Sequence, residues 1–338
     1  MPKPSPKTWL KTGSKTRLPT DSDHRWLSAA TRLAARGVPL SRPNPAVGAL
    51  IVKHGIVIAR GWTQPGGRPH AEAVALEAAG DAAQGAALYV TLEPCAHHSA
   101  RGPACADLVA ASGLDRVVVG CGDPDERTSG QGLARIRAAG VAADLANNPD
   151  CAASLAGYLT VQRLGRPHVT LKLALSEDAR LAPPPGEGQW LTGEVARRHV
   201  HALRARMDAI LVGRGTLEAD NPRLDVRLPG IENRSPERWL LSHGAAPPGW
   251  KGLPSPAAIT AMTGIQTLMV EGGAGAARAF LDAGLVDRLL IYRAPRVVGG
   301  SGPALPDLIP APLSGSPHWR LADTRQLGKD RLEVYERS

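Results

Sequence analysis

His70-Ala71-Glu72, followed by Pro94-Cys95 and then by Cys105, constrains this chain more than any other feature. One imidazole and two thiols form a donor set that suits Zn²⁺ and leaves a fourth tetrahedral position open for water. Glu72 is not needed as a ligand, so its carboxylate is free to carry protons to and from that water. A lone His-x-Glu is commonplace on helix surfaces. The argument rests on its combination with Pro-Cys after a strand and a second Cys opening a helix. Helix N-termini carry a partial positive charge that favours the thiolate a metal needs. The alternative is a structural site closed by four protein ligands, the fourth being His97 or His98. Glu72 argues against it, because a structural site has no use for a neighbouring proton carrier.

The segments around this set alternate between the two regular periods. Asp23 to Gly37 reads as a helix with Trp26, Leu27, Ala30, Leu33 and Ala34 on one face, and Gly37 is placed to end it. Residues 46–52 and 56–59 read as a hairpin turned at Lys53-His54-Gly55. Further helices are expected over 70–79, 103–111 and 130–139, and strands over 87–92, 116–120 and 141–145. Strands alternating with helices imply an α/β layered sheet. A single helix over about 150–162 leads to Gly165-Arg166-Pro167, read as the linker. The second half repeats the style, with strands over 168–175, 209–212, 239–241, 266–270 and 288–292 and a helix over 193–206.

At 338 residues the chain is long enough for two domains. The boundaries expected are a basic tail over 1–20, a first domain over 21–148, a connecting helix and linker over 149–166, and a second domain over 167–338. No run approaches the length of a membrane span. The tail is rich in Pro, Ser and Thr and lacks the apolar stretch of a secretory signal. It supplies five positive charges (Lys3, Lys7, Lys11, Lys15 and Arg17) of a chain whose net charge is +9. That balance would suit nucleic acid or a small phosphorylated substrate, and the second is the milder inference. Of the four cysteines, Cys121 ends an apolar strand as a small hydrophobe, and Cys151 lies near the domain junction. This is no disulfide framework, and a reducing cytoplasm fits.

Other stretches join the metal donors in a fixed order. Pro43-Asn44-Pro45-Ala46-Val47-Gly48, Thr91-Leu92-Glu93-Pro94-Cys95-Ala96-His97-His98 and Asp123-Pro124 lie in the first half. Leu171-Lys172-Leu173, Gln189-Trp190-Leu191-Thr192, the segment 208–213, Gly215-Thr216, Asp220-Asn221-Pro222-Arg223-Leu224 and Val270-Glu271-Gly272-Gly273 lie in the second. Over about residues 22–337 this order resembles the bifunctional deaminase–reductase family of riboflavin biosynthesis. The resemblance implies a cytidine-deaminase-like three-layer α/β/α sandwich followed by a dihydrofolate-reductase-like α/β domain. It implies zinc-dependent removal of the 2-amino group of 2,5-diamino-6-ribosylamino-4(3H)-pyrimidinone 5′-phosphate, then NADPH-dependent reduction of the ribosyl to the ribityl side chain. Glu72 would be the proton carrier, with His70, Cys95 and Cys105 on zinc and Asn44, His98 and Arg101 on the deaminase substrate.

In the second half the resemblance places Lys172, Gly188, Arg204, Leu224, Arg227 and Glu271 at the reductase substrate. It places Ala174, Trp190, Thr216, Asp220, Gly273, Ala274 and Gly275 at the nucleotide. A lysine inside an apolar strand is itself a signal, since buried lysines are rare unless paired. The family also implies a homodimer, with no nucleic-acid or membrane partner. Some positions depart from its pattern. The nine residues between Cys95 and Cys105 form an unusual loop, Gly188 replaces a Ser, Ser176-Glu177-Asp178-Ala179 replaces Ser-Leu-Asp-Gly, and Ser242 replaces an Asp at the end of a strand. These leave a deaminase with a degenerate reductase domain as the second reading, and a nucleic-acid deaminase as a third.

Overall fold

The computed structural model describes residues 18–97, 99–181, 190–299, 303–309, 312–313 and 315–338. The basic tail as far as residue 17, His98 and Gly188 therefore lie outside the described residues. The chain divides into two compact units: Met1–Gly37 with Ala46–Leu155, and Val38–Pro45 with Ala156–Ser338.

In the first unit the elements are α1 (Asp21–Ala34), β1 (Gly48–Lys53), β2 (Ile56–Trp62), α2 (Ala71–Ala79), β3 (Ala87–Val90), α3 (Cys105–Ala110), β4 (Arg116–Val119), α4 (Gln131–Ala138), β5 (Ala142–Leu145) and α5 (Pro149–Ser154). The sheet order is β2-β1-β3-β4-β5. β1 runs antiparallel to β2 and β3, and β3, β4 and β5 run parallel. His54 and Gly55 both have positive φ, the conformation that a two-residue hairpin needs.

Residues 48–52 of β1 are all buried, so both faces of this strand are covered. Two glycines show by what. A methyl at Gly48 would overlap the backbone of Ala30 in α1, and one at Gly61 would overlap the carbonyl of Ala71 in α2. Gly61 pairs with Ala49, the neighbour of Gly48, so the two glycines face opposite sides of the sheet. Helices therefore cover both faces, and the unit is a three-layer α/β/α sandwich. The close approach at Gly61 also sets where α2 begins, and with it His70 and Glu72. α1 starts at a capping box in which Thr20 and Asp23 exchange hydrogen bonds. The buried Asp23 also accepts from Tyr89 and from both Nη atoms of Arg116, tying α1 to the sheet.

The second unit contains α6 (Ala156–Leu164), β6 (His168–Leu175), α7 (Glu194–Arg204), β7 (Ala209–Gly213), α8 (Arg214–Asp220), β8 (Glu237–Leu241), β9 (Lys251–Leu253), β10 (Thr267–Glu271), α9 (Ala274–Asp282), β11 (Arg288–Arg293), α10 (Leu305–Leu308), β12 (Trp319–Leu327) and β13 (Asp330–Arg337). The order is β12-β13-β11-β6-β10-β7-β8-β9, parallel from β11 to β9 with an antiparallel β12–β13 hairpin at the other edge. Each face has its own core. Val169, Leu171, Leu173 and Leu175 of β6 pack with Leu268, Val270, Leu289 and Ile291 on one face. Met269, Leu290 and Tyr292 pack on the other, against Ala196 and Val200 of α7. The alternation puts Lys172 on this second face.

The structure differs from the sequence reading at the domain junction and in several elements the reading did not contain, among them α8 and α10. The single helix expected over 150–162 is two, α5 and α6, broken at Leu155. Asn148 caps α5 by accepting from the Cys151 amide. The short β9 and the C-terminal β12–β13 hairpin carry no clear apolar alternation. β12 is mostly exposed along its length, as an edge strand with one partner can be.

Candidate functional site

The metal donors come from three element ends. His70 is the N-cap of α2, Cys95 follows β3 through an irregular turn, and Cys105 opens α3. Their ligand atoms all lie within 4.8 Å of one another. His70 Nδ1 stands 3.6 Å from Cys95 Sγ and 3.3 Å from Cys105 Sγ. Tetrahedral zinc with ordinary Zn–N and Zn–S bonds requires an N···S separation of about 3.5 Å. The donor set therefore fits that ion without rearrangement. Among the described residues His97 does not join the cluster, and the structural alternative closed by His97 is not what the chain builds.

The backbone holds this geometry. The Cys105 amide donates to Cys95 Sγ at 3.3 Å, and the Ala106 amide to the Cys95 carbonyl at 3.1 Å. The hydrogen bond from Cys105 is the main force holding Cys95 well below the ordinary thiol range, and the same bond pushes Cys105 up. Burial pulls the His70 imidazole down, but its hydrogen bond to Cys95 and the charges of Glu72 and Cys95 outweigh that and raise it. Glu72 lies in the first turn of α2 and is 3% exposed. Burial pushes its carboxyl up to about 7, although the neighbouring imidazole pulls the other way. A carboxyl at that value exchanges protons readily at neutral pH.

Glu93 was not singled out in the sequence, yet it anchors the turn that carries Cys95. Its buried carboxylate accepts from the amides of Gly130, Leu133 and Asp123 at 3.1, 3.1 and 3.4 Å. An acid directly before Pro-Cys at a strand end was the only available signal. Arg101 is exposed, and its Nη2 donates to the Gly66 carbonyl at 2.7 Å, fastening the inter-cysteine loop to the turn before His70. Asn44 lies in the Val38–Pro45 segment that groups with the second unit.

In the second unit the register brings three of the expected residues together. Glu271 pairs with Lys172 across β10 and β6, and the Lys172 ammonium stands 3.6 Å from Glu271 Oε1. Arg204, at the end of α7, closes the cluster with a two-pronged contact to Glu271 at 2.8 and 3.0 Å. Lys172 also faces the Tyr292 ring, whose hydroxyl bonds His199 at 2.8 Å. Burial raises the Glu271 carboxyl, but Lys172 and then Arg204 overcome it and keep the group ionised. The cation inside an apolar strand is thus an ion-paired one.

The segment after Asn221 joins this cluster. Arg204 Nη1 donates to the Asp225 carbonyl, and Arg227 pairs with the Asp225 carboxylate. Leu224, directly before Asp225, is buried with φ of 55°. The nucleotide candidates are more dispersed. Gly273 donates to the Thr216 hydroxyl at 2.9 Å, with Ala274 and Gly275 following in the first turn of α9. Ala174 pairs with Tyr292. Asp220 ends α8 on the surface, and Trp190 is exposed beside Arg197.

A donor set of one imidazole and two thiols with a buried acid on an α/β/α sandwich, followed by an open, mostly parallel sheet that carries a buried charged cluster, defines a zinc deaminase joined to a reductase-type domain. Residues 20–121 match the "cytidine and deoxycytidylate deaminase zinc-binding region" model, and 167–249 with 257–332 match the "RibD C-terminal domain". The chain belongs to the RibD family of riboflavin biosynthesis proteins. It is 34% identical to the Escherichia coli member over 91% of this chain and 97% of the relative, and 36% identical to a Mycobacterium tuberculosis member over 86% and 90%. The solved Acinetobacter baumannii RibD superposes with a TM-score of 0.82 at 33% identity, covering 94% of this chain and 99% of the other. The Thermotoga maritima diaminohydroxyphosphoribosylaminopyrimidine deaminase/5-amino-6-(5-phosphoribosylamino)uracil reductase gives 0.83 at 28% identity with the same coverage.

Proposed function

We propose that the chain performs two successive steps of riboflavin biosynthesis. The first unit hydrolytically deaminates 2,5-diamino-6-ribosylamino-4(3H)-pyrimidinone 5′-phosphate. The second reduces the ribosyl side chain to ribityl with NADPH. The observation that carries the reading is the convergence of His70 Nδ1 and the two cysteine sulfurs at separations suited to zinc, beside the buried Glu72.

His70, Cys95 and Cys105 hold the zinc ion, which supplies Lewis acidity when bound. Glu72 would take a proton from the attacking water and deliver it to the pyrimidine ring nitrogen, then take the proton of the newly added hydroxyl and pass it to the amino group, which leaves as ammonia. One acid can do both because it lies buried in the first turn of α2, two residues from the ligand His70. Asn44, His98 and Arg101 are assigned to this substrate on the family resemblance alone. In the second unit NADPH supplies the hydride. Lys172, Gly188, Arg204, Leu224, Arg227 and Glu271 bind the phosphorylated substrate. Glu271, kept ionised by its two cations, is an acceptor only and suits a sugar hydroxyl. Ala174, Trp190, Thr216, Asp220 and the Gly273-Ala274-Gly275 turn bind the nucleotide.

No helix among the described residues is long and apolar enough to cross a membrane. We take the working form to be a cytoplasmic homodimer, which sedimentation of the purified protein tests. For activity, the substrate should release ammonia with the zinc-loaded protein, and the deaminated intermediate should then oxidise NADPH. Missing ammonia removes the first assignment, and missing NADPH oxidation removes the second.

A further inference from the structure

The Val38–Pro45 segment groups with the second unit, although Gly37 before it and Ala46 after it belong to the first. It carries Asn44, the residue assigned above to the deaminase substrate. Asn44 closes a tight turn. Its amide donates to the Ser41 carbonyl at 3.1 Å, and the Ser41 hydroxyl donates to the Asn44 carbonyl at 3.2 Å. Arg42 and Pro43 are the central residues of that turn, so their placement sets the direction in which Asn44 leaves it. Beyond Asn44 the chain is tied to the first unit's sheet. Asn44 lies four residues before the start of β1, a reach of at most about 14 Å. The Val47 amide donates to the Thr63 hydroxyl at 2.9 Å and the Gly48 amide to the Thr91 hydroxyl at 3.2 Å, both on buried residues. Thr91 leads from β3 into the turn that carries Cys95.

Both central residues of the turn are gripped by the second unit. β10, β7 and β8 are neighbours in its sheet, and Gln266, Asp208 and Glu237 stand at their starts. Gln266 Nε2 donates to the Pro43 carbonyl at 2.6 Å. Arg42 Nη2 donates to Glu237 Oε1 at 3.2 Å, and Arg42 Nε lies 3.9 Å from Asp208 Oδ1. Asp208 is a rigid partner, since it is buried and its other oxygen accepts the Gln266 and Thr267 amides at 2.9 Å each. Lys251 steadies Glu237 from the far side at 2.7 Å. No apolar residue of Val38–Pro45 is fully buried, so polar contacts and not packing fix the turn. These strand starts lie at the opposite edge of the sheet from the end of β10, where Glu271 stands. None of the three is among the residues assigned to reduction.

We propose that the second unit positions Asn44 for the first reaction. Glu237 and Asp208, through Arg42, and Gln266, through the Pro43 carbonyl, are positioning residues of the deaminase. Affinity for the pyrimidine substrate therefore depends on residues of the reductase unit. This rests on the deaminase reading above and on the place it gives Asn44.

The test is steady-state ammonia release by the full, zinc-loaded chain over a range of concentrations of the diaminopyrimidine 5′-phosphate. Arg42→Ala should raise KM by about three- to tenfold, the worth of a partly exposed charge-assisted contact, with kcat changed by less than about twofold. Glu237→Gln and Gln266→Ala should each raise KM by about two- to threefold. Arg42→Lys should recover part of the loss, because the charge survives and the fork does not. The decisive measurement is the double variant: Arg42→Ala should add less than about twofold to the KM of Asn44→Ala, because the one acts through the other. Zinc content and the far-ultraviolet circular dichroism spectrum should match wild type throughout. If Asn44→Ala raises KM and Arg42→Ala does not, the proposal is overturned and the deaminase reading stands. Full additivity in the double variant overturns it as well. Should Arg42→Ala lose the native spectrum, an unchanged KM in both Glu237→Gln and Gln266→Ala overturns it instead. If Asn44→Ala leaves KM unchanged, Asn44 loses its assignment and the proposal goes with it. If wild type releases no ammonia, the deaminase reading itself falls.

Discussion

Glu271→Gln is the substitution whose outcome the structure fixes most tightly. It keeps the shape of the side chain and removes one negative charge from between two cations. Lys172 Nζ is 3.6 Å from Glu271 Oε1 and Arg204 Nη2 is 2.8 Å away. At an effective dielectric constant near 20, each attraction is about 5 kcal/mol before desolvation is counted. The side chains of Lys172, Arg204 and Glu271 are only 17%, 9% and 13% exposed, so water cannot replace the lost partner. Removing one member of a buried pair costs about 3–5 kcal/mol, because the remaining charges stay buried. The Gln carbonyl still accepts one bond from Arg204, which favours the lower end of that range. Amide hydrogen exchange over β6 and β10 reports the opening free energy of this unit directly. It should fall by about 3 kcal/mol, and NADPH oxidation should be lost with it, while ammonia release from the first unit persists. The double variant Arg204→Met with Glu271→Leu, which leaves only Lys172 to relocate toward solvent, should recover part of the stability. A change in exchange of less than about 0.5 kcal/mol, the level of an exposed pair, would show that the cluster is solvated and that the burial argument fails.

Glu72→Gln should retain zinc by elemental analysis and lose ammonia release by about 10²- to 10⁴-fold, the usual worth of a placed acid–base group; unchanged ammonia release refutes the proton-carrier role. Gly61→Val forces a side chain into the Ala71 carbonyl and must shift the start of α2. The expected result is weaker zinc retention against a chelator, and retention equal to wild type would mean that α2 is not positioned by this contact. Asp23 is held down at about 2: burial pushes it up, and Arg116, Thr20 and Tyr89 more than reverse that. Its contribution, about 2 kcal/mol, is complete above the ordinary carboxyl pKa near 3.8 and disappears as pH falls to about 2. Acid titration of Asp23→Asn should lack that part of the slope, and identical slopes would refute the assignment. His168 has the opposite charge type: burial first, then the Arg288 charge, lowers it to about 4. Its neutral form is favoured by folding, so it removes stability as pH falls from about 6.5 to about 4, and His168→Gln should flatten the thermal midpoint across that window.

Much of the first unit was legible in the chain itself. The apolar face of α1, the hairpin at His54-Gly55 and the short buried strands follow local periodicity, and periodicity survives into the folded state because one face must be buried. The donors were legible for a different reason. Cysteine is scarce, with four in the chain, and the chemistry of cysteine and histidine is specific enough that type and order restrict the ion. Glu93 was not legible as an anchor, because an acid that caps α4 through backbone amides looks like any other acid until α4 is in place. The break at Leu155 and the edge hairpin β12–β13 were missed because neither has a strong apolar rhythm.

The amino-acid order by itself determined the candidate ligand types, the candidate proton carrier and the succession of an α/β sandwich and a second α/β unit. These depend on residue chemistry and on contacts between near neighbours. Only the tertiary structure decided that Lys172, Arg204 and Glu271 form one cluster, and that Arg42 meets Asp208 and Glu237 at two strand starts. Both results depend on the register and order of parallel strands joined by long crossovers. That order is set by the packing of whole faces, and no local stretch of sequence records it.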